Sequence, residues 1–484
     1  MGQLLVIIFQ NHAMLFRLLF TFSLLLSLSV HGISQKVVVS NPIELSNESH
    51  YEFIGHFNQQ ILLYFEEDGR LDVLAFDENM KKQWTKQLHM SNKKAQTVGL
   101  MPGNDEFHHF YSYRELDTTV LVHDIYNLKA ELKESYFVLK SAELGGQFLF
   151  SGSTDGNRCL FFQPGVNDKL WTLSYEFHEA MVGWERKFNL DGRFDRSFAG
   201  LQLNSQNELF LLLSTENKNS RKEEHTFILY YIKPGQEKVE ALQIPTPDFL
   251  INSSTIEYDE VNQELNIVGF YTERNLDNSD GIFYFTLSPG ETKVNIKSYP
   301  WNQDLKKKMI GGSGSRSKGI EGLELKKTIL REDGGVLLIG EVEKIYQRRA
   351  SFAERNMYSR GGNWVDFVYE DLLLVALHPN GDLHWNSVIN KRQFSQDDNG
   401  LYSSFFVFSN PSMLRILFND EIKANNTASS YEVFGNGEVN RSSILSTQYQ
   451  QLQLRFQIAF QYSSNALIIP SEYKGSLKLV QIQF

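Results

Sequence analysis

Leu372 to Ile389 reads LLLVALHPNGDLHWNSVI: an unbroken apolar run, a Pro-Asn-Gly turn, then a second run that carries Trp385. Apolar residues that do not alternate with polar ones predict a strand covered on both faces, and Pro-Asn-Gly predicts a tight turn. Laid without gaps on Val73 to Leu88, the segment matches Ala376, Asn380 and Trp385 to Ala75, Asn79 and Trp84. Cys159 to Trp171, CLFFQPGVNDKLW, reads as a third copy with one more residue in its turn. Self-similarity at a period of tens of residues is the mark of a propeller, a solenoid or an array.

Paired apolar runs then recur along the whole chain. They are Gln60 to Phe65 with Leu71 to Phe76 around Asp68-Gly69, Glu106 to Glu115 with Thr118 to Ile125, and Gly146 to Ser151 with Arg158 to Phe162. Glu208 to Ser214 with Phe227 to Ile232, Glu264 to Thr272 with Ile282 to Leu287, and Gly335 to Val342 with Asp371 to Leu377 continue the series. Ser412 to Asn419 with Tyr431 to Phe434 and Ala466 to Pro470 with Ser476 to Phe484 complete it. Asp-Gly between such runs is a strong hairpin signal, and helical periodicity is nearly absent. A shorter strand precedes each pair and a polar strand usually follows it, so the unit is a blade of four antiparallel strands. The last pair leaves no room for a fourth strand, while Lys36 to Leu45 (KVVVSNPIEL) has no partner of its own. Joined, they seal a ring and remove two open sheet edges. The expected architecture is an all-β, single propeller over residues 35–484 with eight blades, or seven if the second repeat, which has neither Trp nor a Gly turn, merges with a neighbour.

Composition changes the picture in address and partner class. From Met14 the chain carries Arg17, the apolar run Leu18 to Val30, and small residues near Gly32 and Ser34, the pattern of a secretory signal over residues 1–34. Residues 1–13 read as an upstream extension. The run is shorter than the roughly 18 residues a membrane helix needs, so the expected product carries no transmembrane anchor. Cys159 is the only thiol, which excludes an intramolecular disulfide and reads as a small buried hydrophobe. Formal net charge is -11, and an acidic chain argues against nucleic acid as partner.

Ala75 to Trp84 resembles the Ala-x-Asp-x-x-Thr-Gly-x-x-x-Trp repeat of quinoprotein-like propellers, shortened by one residue in the turn. That resemblance implies that Trp84, Trp171 and Trp385 pack between blades, with Asn79, Asn380 and Gly381 shaping the turns. Asp333 to Val336 through Asp371 to Trp385 also resembles exported propeller-like proteins of the Bacteroidetes group, which implies architecture and no activity.

Candidate chemistry is sparse. A single cysteine excludes the adjacent pair that many quinone-dependent dehydrogenases use, and no cofactor is expected. None of the ten histidines after the signal has His-Glu-x-x-His spacing, and His108 and His109, adjacent on one strand, must point to opposite faces. Asp277 to Gly281 and Asp397 to Gly400 are oxygen-rich loops that turn chemistry explains as well as calcium does. No catalytic or metal-ligating residue is assigned. Long connections fall on one side of the hairpins: residues 215–226, 273–281, 343–370 and 420–430 within them, 179–200 and 301–322 between them. Pro300 to Arg360 holds 13 Lys and Arg against 8 Asp and Glu, a local +5. Lys306, Lys307, Lys308 and Arg316 lie in one insertion; Arg348, Arg349, Arg355 and Arg360 interleave with Tyr346, Phe352, Tyr358 and Trp364 in the other. Arginine with aromatics is the composition of binding hot spots. The expectation is a secreted, periplasmic or extracellular propeller that binds a protein or glycan on its long-loop face without catalysis. The alternative is a hydrolase or lyase with its site at the axial mouth.

Overall fold

The computed structural model describes residues 35–484 except 47, 146, 166–167, 218–223, 312–318, 350–362, 423–426 and 447–450. Eight antiparallel sheets follow one another around an axis. Blade 1 is His50–Phe57, Gln60–Glu67, Arg70–Asp77 and Lys82–Leu88; blade 2 is Gln96–Pro102, Glu106–Glu115, Thr118–Asn127 and Leu132–Ser141. Blade 3 is Leu149–Gly152, Arg158–Pro164, Lys169–Glu176 and Met181–Asn189; blade 4 is Phe198–Leu203, Leu209–Asn217, Glu224–Ile232 and Glu240–Pro245. Blade 5 is Leu250–Asp259, Glu264–Thr272, Gly281–Leu287 and Lys297–Pro300; blade 6 is Leu323–Leu330, Val336–Arg349, Asn363–Leu377 and Leu383–Ile389. Blade 7 is Phe406–Ser409, Leu414–Asn419, Thr427–Val433 and Val439–Ser446. The second repeat therefore stands as a blade of its own, and the count is eight.

The unbroken apolar run that opens the sequence pattern has a direct cause. Leu372 to Leu377 are all fully buried. Leu373, Val375 and Leu377 pack on Val268, Phe270 and Tyr284 of blade 5, while Leu372, Leu374 and Ala376 pack on Val407, Ile416 and Phe418 of blade 7. Each such side chain contributes about 1.5–3 kcal/mol, so the core is distributed over the seams between blades. The hairpin turns supply the register: Asp68 and Gly69 have φ of 51° and 72°, the left-handed pair that matches strand twist.

Blade 8 consists of Phe460–Ser463, Ala466–Tyr473 and Ser476–Gln483, and its outer strand comes from the other end of the chain. Lys36 to Val39 pair with Gln483 to Val480, and Ile43 pairs with Leu477. Between them Ser40 holds the ladder through its backbone N–H to Leu479 O at 2.9 Å and through its hydroxyl, which accepts from Leu479 N at 2.9 Å.

In six of the blades the first strand bulges at one equivalent position, where Ile54, Val98, Ala199, Asn252, Lys326 and Tyr462 are skipped by the ladder. A bulge adds twist where the strands crowd the axis. Gly99 follows one of these bulges, and a Cβ there would lie 2.5 Å from the Phe150 ring of the next blade.

The third repeat differs from the sequence expectation by one strand. Gly152 and its neighbours with Arg158–Pro164 form the first pair of blade 3, and the central hairpin is Arg158–Pro164 with Lys169–Glu176. Trp171 accordingly sits on the third strand, not the fourth, though it is buried between blades 2 and 3. Trp184 takes the position of Trp84 and Trp385: each lies on the fourth strand, opposite Ser174, Ala75 and Ala376 respectively, beside a bulge. The slip arises because strands two and three of every blade are buried on both faces and look alike in hydropathy. The expected connection over 179–200 is corrected in the same way, since Met181–Asn189 is a strand and a helical turn, Phe194–Ser197, follows it.

Candidate functional site

In blades 4 to 7 the connections between second and third strands, and those from one blade to the next, leave one face of the ring. Blade 6 departs most from the common plan. The described ends of the expected loop over 343–370 are strand, not loop: Val336–Arg349 and Asn363–Leu377 stay paired out to Arg349 and Asn363, past a bulge at Val342, while 350–362 lie outside the described residues. Gln393–Gln396 adds a third strand, with Gln396, Ser395, Phe394 and Gln393 opposite Asp366 to Tyr369. The alternation of β-branched, aromatic and polar residues here suits a ribbon covered on one side only.

Residues on alternate rungs share a face. Gln393, Phe367 and Tyr369 fall on one side and are buried. Tyr346, Arg348, Trp364 and Phe394 fall on the other, where Tyr346 is 47% and Phe394 53% exposed. The ribbon thus brings together three of the arginine and aromatic positions read from the sequence and adds Phe394, which the sequence places well downstream in an unremarkable polar stretch. Arg349 lies at the ribbon's end, while Arg316, Arg355, Tyr358 and Arg360 lie outside the described residues.

Four of the cations counted along this stretch are held in ion pairs. Arg348 forms an ion pair with buried Asp366, Lys344 with Glu370 at 3.5 Å, Lys326 with Glu343, and Arg331 with Asp333 at 2.5 Å. Lys306, Lys307 and Lys308 lie on a helix, Gln303–Ile310, whose first turn is capped by Asn302 Oδ1 accepting from Leu305 N at 2.8 Å. Lys307 and Lys308 stand in its last turn, where the helix dipole favours cations.

Between helix and ribbon lies a cleft of about 790 Å³. Met309 and Ile310 line it from the helix, Lys344 and Glu370 from the ribbon base, and Asp277 and Glu321 from beside and within the short strand pair of Asn278–Ser279 with Ile320–Glu321. The three helix lysines and Arg348 are not in its lining. Under the ribbon Lys391 and Glu341 form a fully buried ion pair at 2.5 Å, with Lys391 Nζ also donating to Gln393 Oε1 at 2.8 Å and Ser404 donating to Glu341. Burial pushes the Lys391 ammonium below its ordinary range despite Glu341. The described ends of this segment, 343–349 and 363–370, are therefore no detachable loop: Asp366, Phe367 and Tyr369 are buried, and the ribbon base caps a charged pair.

In the oxygen-rich loops Asp280 and Asp398 are held by neighbouring hydroxyl and backbone donors, and Asp397 accepts from Val365 N of the ribbon at 2.8 Å. Asp280 accepts from Thr272 Oγ1 at 3.0 Å and Glu273 N at 2.8 Å; Asp398 accepts from Ser395 Oγ at 2.7 Å and Gly400 N at 2.9 Å. On the first strand of blade 5, burial pushes the Glu257 carboxyl up to about 7, with Lys327 partly opposing. Asn380 and Gly381 form a turn that docks on blade 5: Lys297 Nζ donates to Asn380 O at 2.6 Å, and Gly381 has φ 81° over the Tyr284 ring. Asn79 donates its N–H to Asp77 at 2.9 Å in the matching turn of blade 1. Among the described residues no helix is long and apolar enough to cross a membrane.

No family model and no curated protein matches this chain. Solved structures similar to it include an uncharacterised protein, lmo1340, from Listeria monocytogenes, at 9% identity over 80% of this chain and 91% of that one, with a TM-score of 0.39. The WD40 domain of SCAP from fission yeast is similar at 8% identity over 93% and 98%, with a TM-score of 0.40. The β-propeller domain of the Trilobed protease from Pyrococcus furiosus is similar at 8% identity over 85% and 98%, with a TM-score of 0.35. The order of the sheets alone makes the chain a β-propeller of eight blades.

Proposed function

We propose that the protein is an exported, non-catalytic propeller that binds a protein or glycan partner through the blade 6 ribbon. The observation that carries this reading is the outward ribbon face, where Tyr346, Arg348, Trp364 and Phe394 share one side of a three-stranded element. Aromatics held on strands give large contact area at little entropic cost, and with arginine they are the residues that dominate interface energies. The Asp366 ion pair fixes the Arg348 side chain along that face, so its contribution is a positioned donor fork more than a free charge.

A triple variant, Tyr346→Ala, Trp364→Ala and Phe394→Ala, tests it. These side chains are half-buried or exposed, so the melting temperature should hold within a few degrees. Capture of a partner from envelope extracts by the residue 35–484 chain should fall at least tenfold. Capture that is unchanged removes the ribbon from the binding site.

A second reading, a hydrolase or lyase at the axial mouth, draws its support from Glu257, a carboxyl raised to about 7 and so suited to proton transfer near neutrality. Turnover of an envelope substrate by the parent chain that is lost in Glu257→Gln with the ribbon intact would favour this reading.

A further inference from the structure

The face opposite the ribbon carries the short turns, and at the seam between blades 2 and 3 those turns bring His178 to a Glu106 and His108 pair that lies some seventy residues earlier in sequence. Glu106 opens the second strand of blade 2, His108 follows it two residues later on the same face, and His178 sits in the 177–180 turn of blade 3. One ligand atom from each lies within 4.8 Å of the others. His108 is fully buried, and its Nε2 makes no hydrogen bond although it faces the Glu106 carboxylate at 3.8 Å. An imidazole nitrogen buried without a hydrogen bond has lost its hydration with nothing in exchange, so its presence asks for an explanation. Space over that nitrogen is kept open by Gly103, where a Cβ would lie 2.9 Å from Nε2.

Behind His108 stands a chain of hydrogen bonds. His108 Nδ1 is 2.9 Å from His123 Nε2, and His123 Nδ1 is 3.1 Å from the Tyr175 hydroxyl. With Nδ1 of each ring protonated, His108 donates to His123 and His123 donates to Tyr175, which leaves the lone pair of His108 Nε2 directed into the seam. Metal-bound histidines are oriented by this kind of outer partner on the second ring nitrogen. His109, the neighbour in sequence, points the other way and bonds Thr97 Oγ1 at 3.0 Å, so it takes no part.

We propose that Glu106, His108 and His178 bind one divalent transition-metal ion of the zinc type, clamping blade 2 to blade 3. Two imidazoles and a carboxylate favour a borderline transition metal over calcium or magnesium, which take oxygen ligands. Three protein ligands with His178 at the surface leave a fourth position to water. Tetrahedral ligands about 2.0–2.1 Å from zinc sit roughly 3.4 Å apart, so the surface histidine and the half-buried glutamate must close by about 1 Å on a fixed His108. Lys133 Nζ holds the other carboxylate oxygen, Glu106 Oε2, at 2.5 Å and leaves Oε1 to the ion.

The test is titration of the tag-free, chelator-treated chain with zinc chloride, followed by calorimetry and thermal melting, with cobalt(II) absorbance as a reporter of ligand geometry. Expected are one equivalent per chain, a raised melting temperature, and affinity reduced by about 100-fold or more in His178→Ala, whose exposed ring the fold does not need. His384→Ala is the control, because His378 and His384 form a second histidine pair with ring centroids 4.2 Å apart. Absence of zinc binding in the parent chain overturns the proposal. So does an affinity that is unchanged in His178→Ala or lost in His384→Ala.

Discussion

Trp171 and Trp385 look equivalent in sequence and are not equivalent in the fold. Trp171 is 4% exposed within the seam of blades 2 and 3, whereas Trp385 is half-buried, donating from Nε1 to Gly435 O at 2.9 Å. Truncation of a buried tryptophan costs about 3–5 kcal/mol, so Trp171→Ala should lose that much in urea unfolding and Trp385→Ala about 2 kcal/mol. Equal losses would mean that the two sites bury the ring alike. A second residue-scale prediction concerns Glu257. Its folded pKa of about 7 lies above the ordinary carboxyl value, so between those limits the folded chain holds more protons than the unfolded one. Stability is therefore complete at low pH and falls as pH rises through that window. Each pH step of one between the unfolded and folded pKa values is worth about 1.4 kcal/mol. Glu257→Gln should therefore unfold like the parent at pH 4 and be about 1–3 kcal/mol more stable than it at pH 8. A constant difference across that range would assign the pH dependence to something other than this carboxyl.

At the scale of elements, the chain is legible wherever a local signal has one structural meaning. Asp68-Gly69 admits little besides a hairpin, and the two-faced apolar run at Leu372 admits only a strand between neighbours. Blade 3 misleads because its fourth-strand turn, Phe177 to Ala180, lacks the Asn or Gly that marks the others, so nothing local points to Trp184 while the apolar match at Cys159 attracts the repeat. The ribbon is legible in composition but not in conformation: its arginines and aromatics stand out, yet its alternation becomes visible only when the third strand at Phe394 supplies a partner. The histidine site has no local signature, because its ligands come from different blades. The closing strand, by contrast, follows from counting strands. Deleting 35–45 should leave the Ser476–Gln483 edge unpaired and produce oligomers in size-exclusion chromatography with a lowered unfolding midpoint. A monomer that unfolds at the parental midpoint would contradict the closure.

For the whole molecule, the ring makes the location of the chain ends arbitrary. Lys36 and Gln483 are direct cross-strand partners, so a linker of a few glycines joins them as an ordinary hairpin. A permuted chain opened in the 246–249 connection between blades 4 and 5 should keep the parental circular dichroism and remain monomeric, with its first loss of amide protection moved from blade 8 to the new gap. Failure of that variant to fold would show that blade 8 is held by more than its strand pairing.

The Ser40 contact with Leu479 joins residues 439 apart in sequence, and that distance has a temporal side. A ribosome or a translocation channel delivers the chain from its first residues onward, so the closing strand emerges early and has no partner until nearly everything else has been made. Throughout that interval an edge of Val37, Val38 and Val39 is available to whatever passes, including other copies of itself. The molecule is therefore most exposed to error just before completion, and a chaperone that shielded those few residues would do more for yield than one acting on any blade.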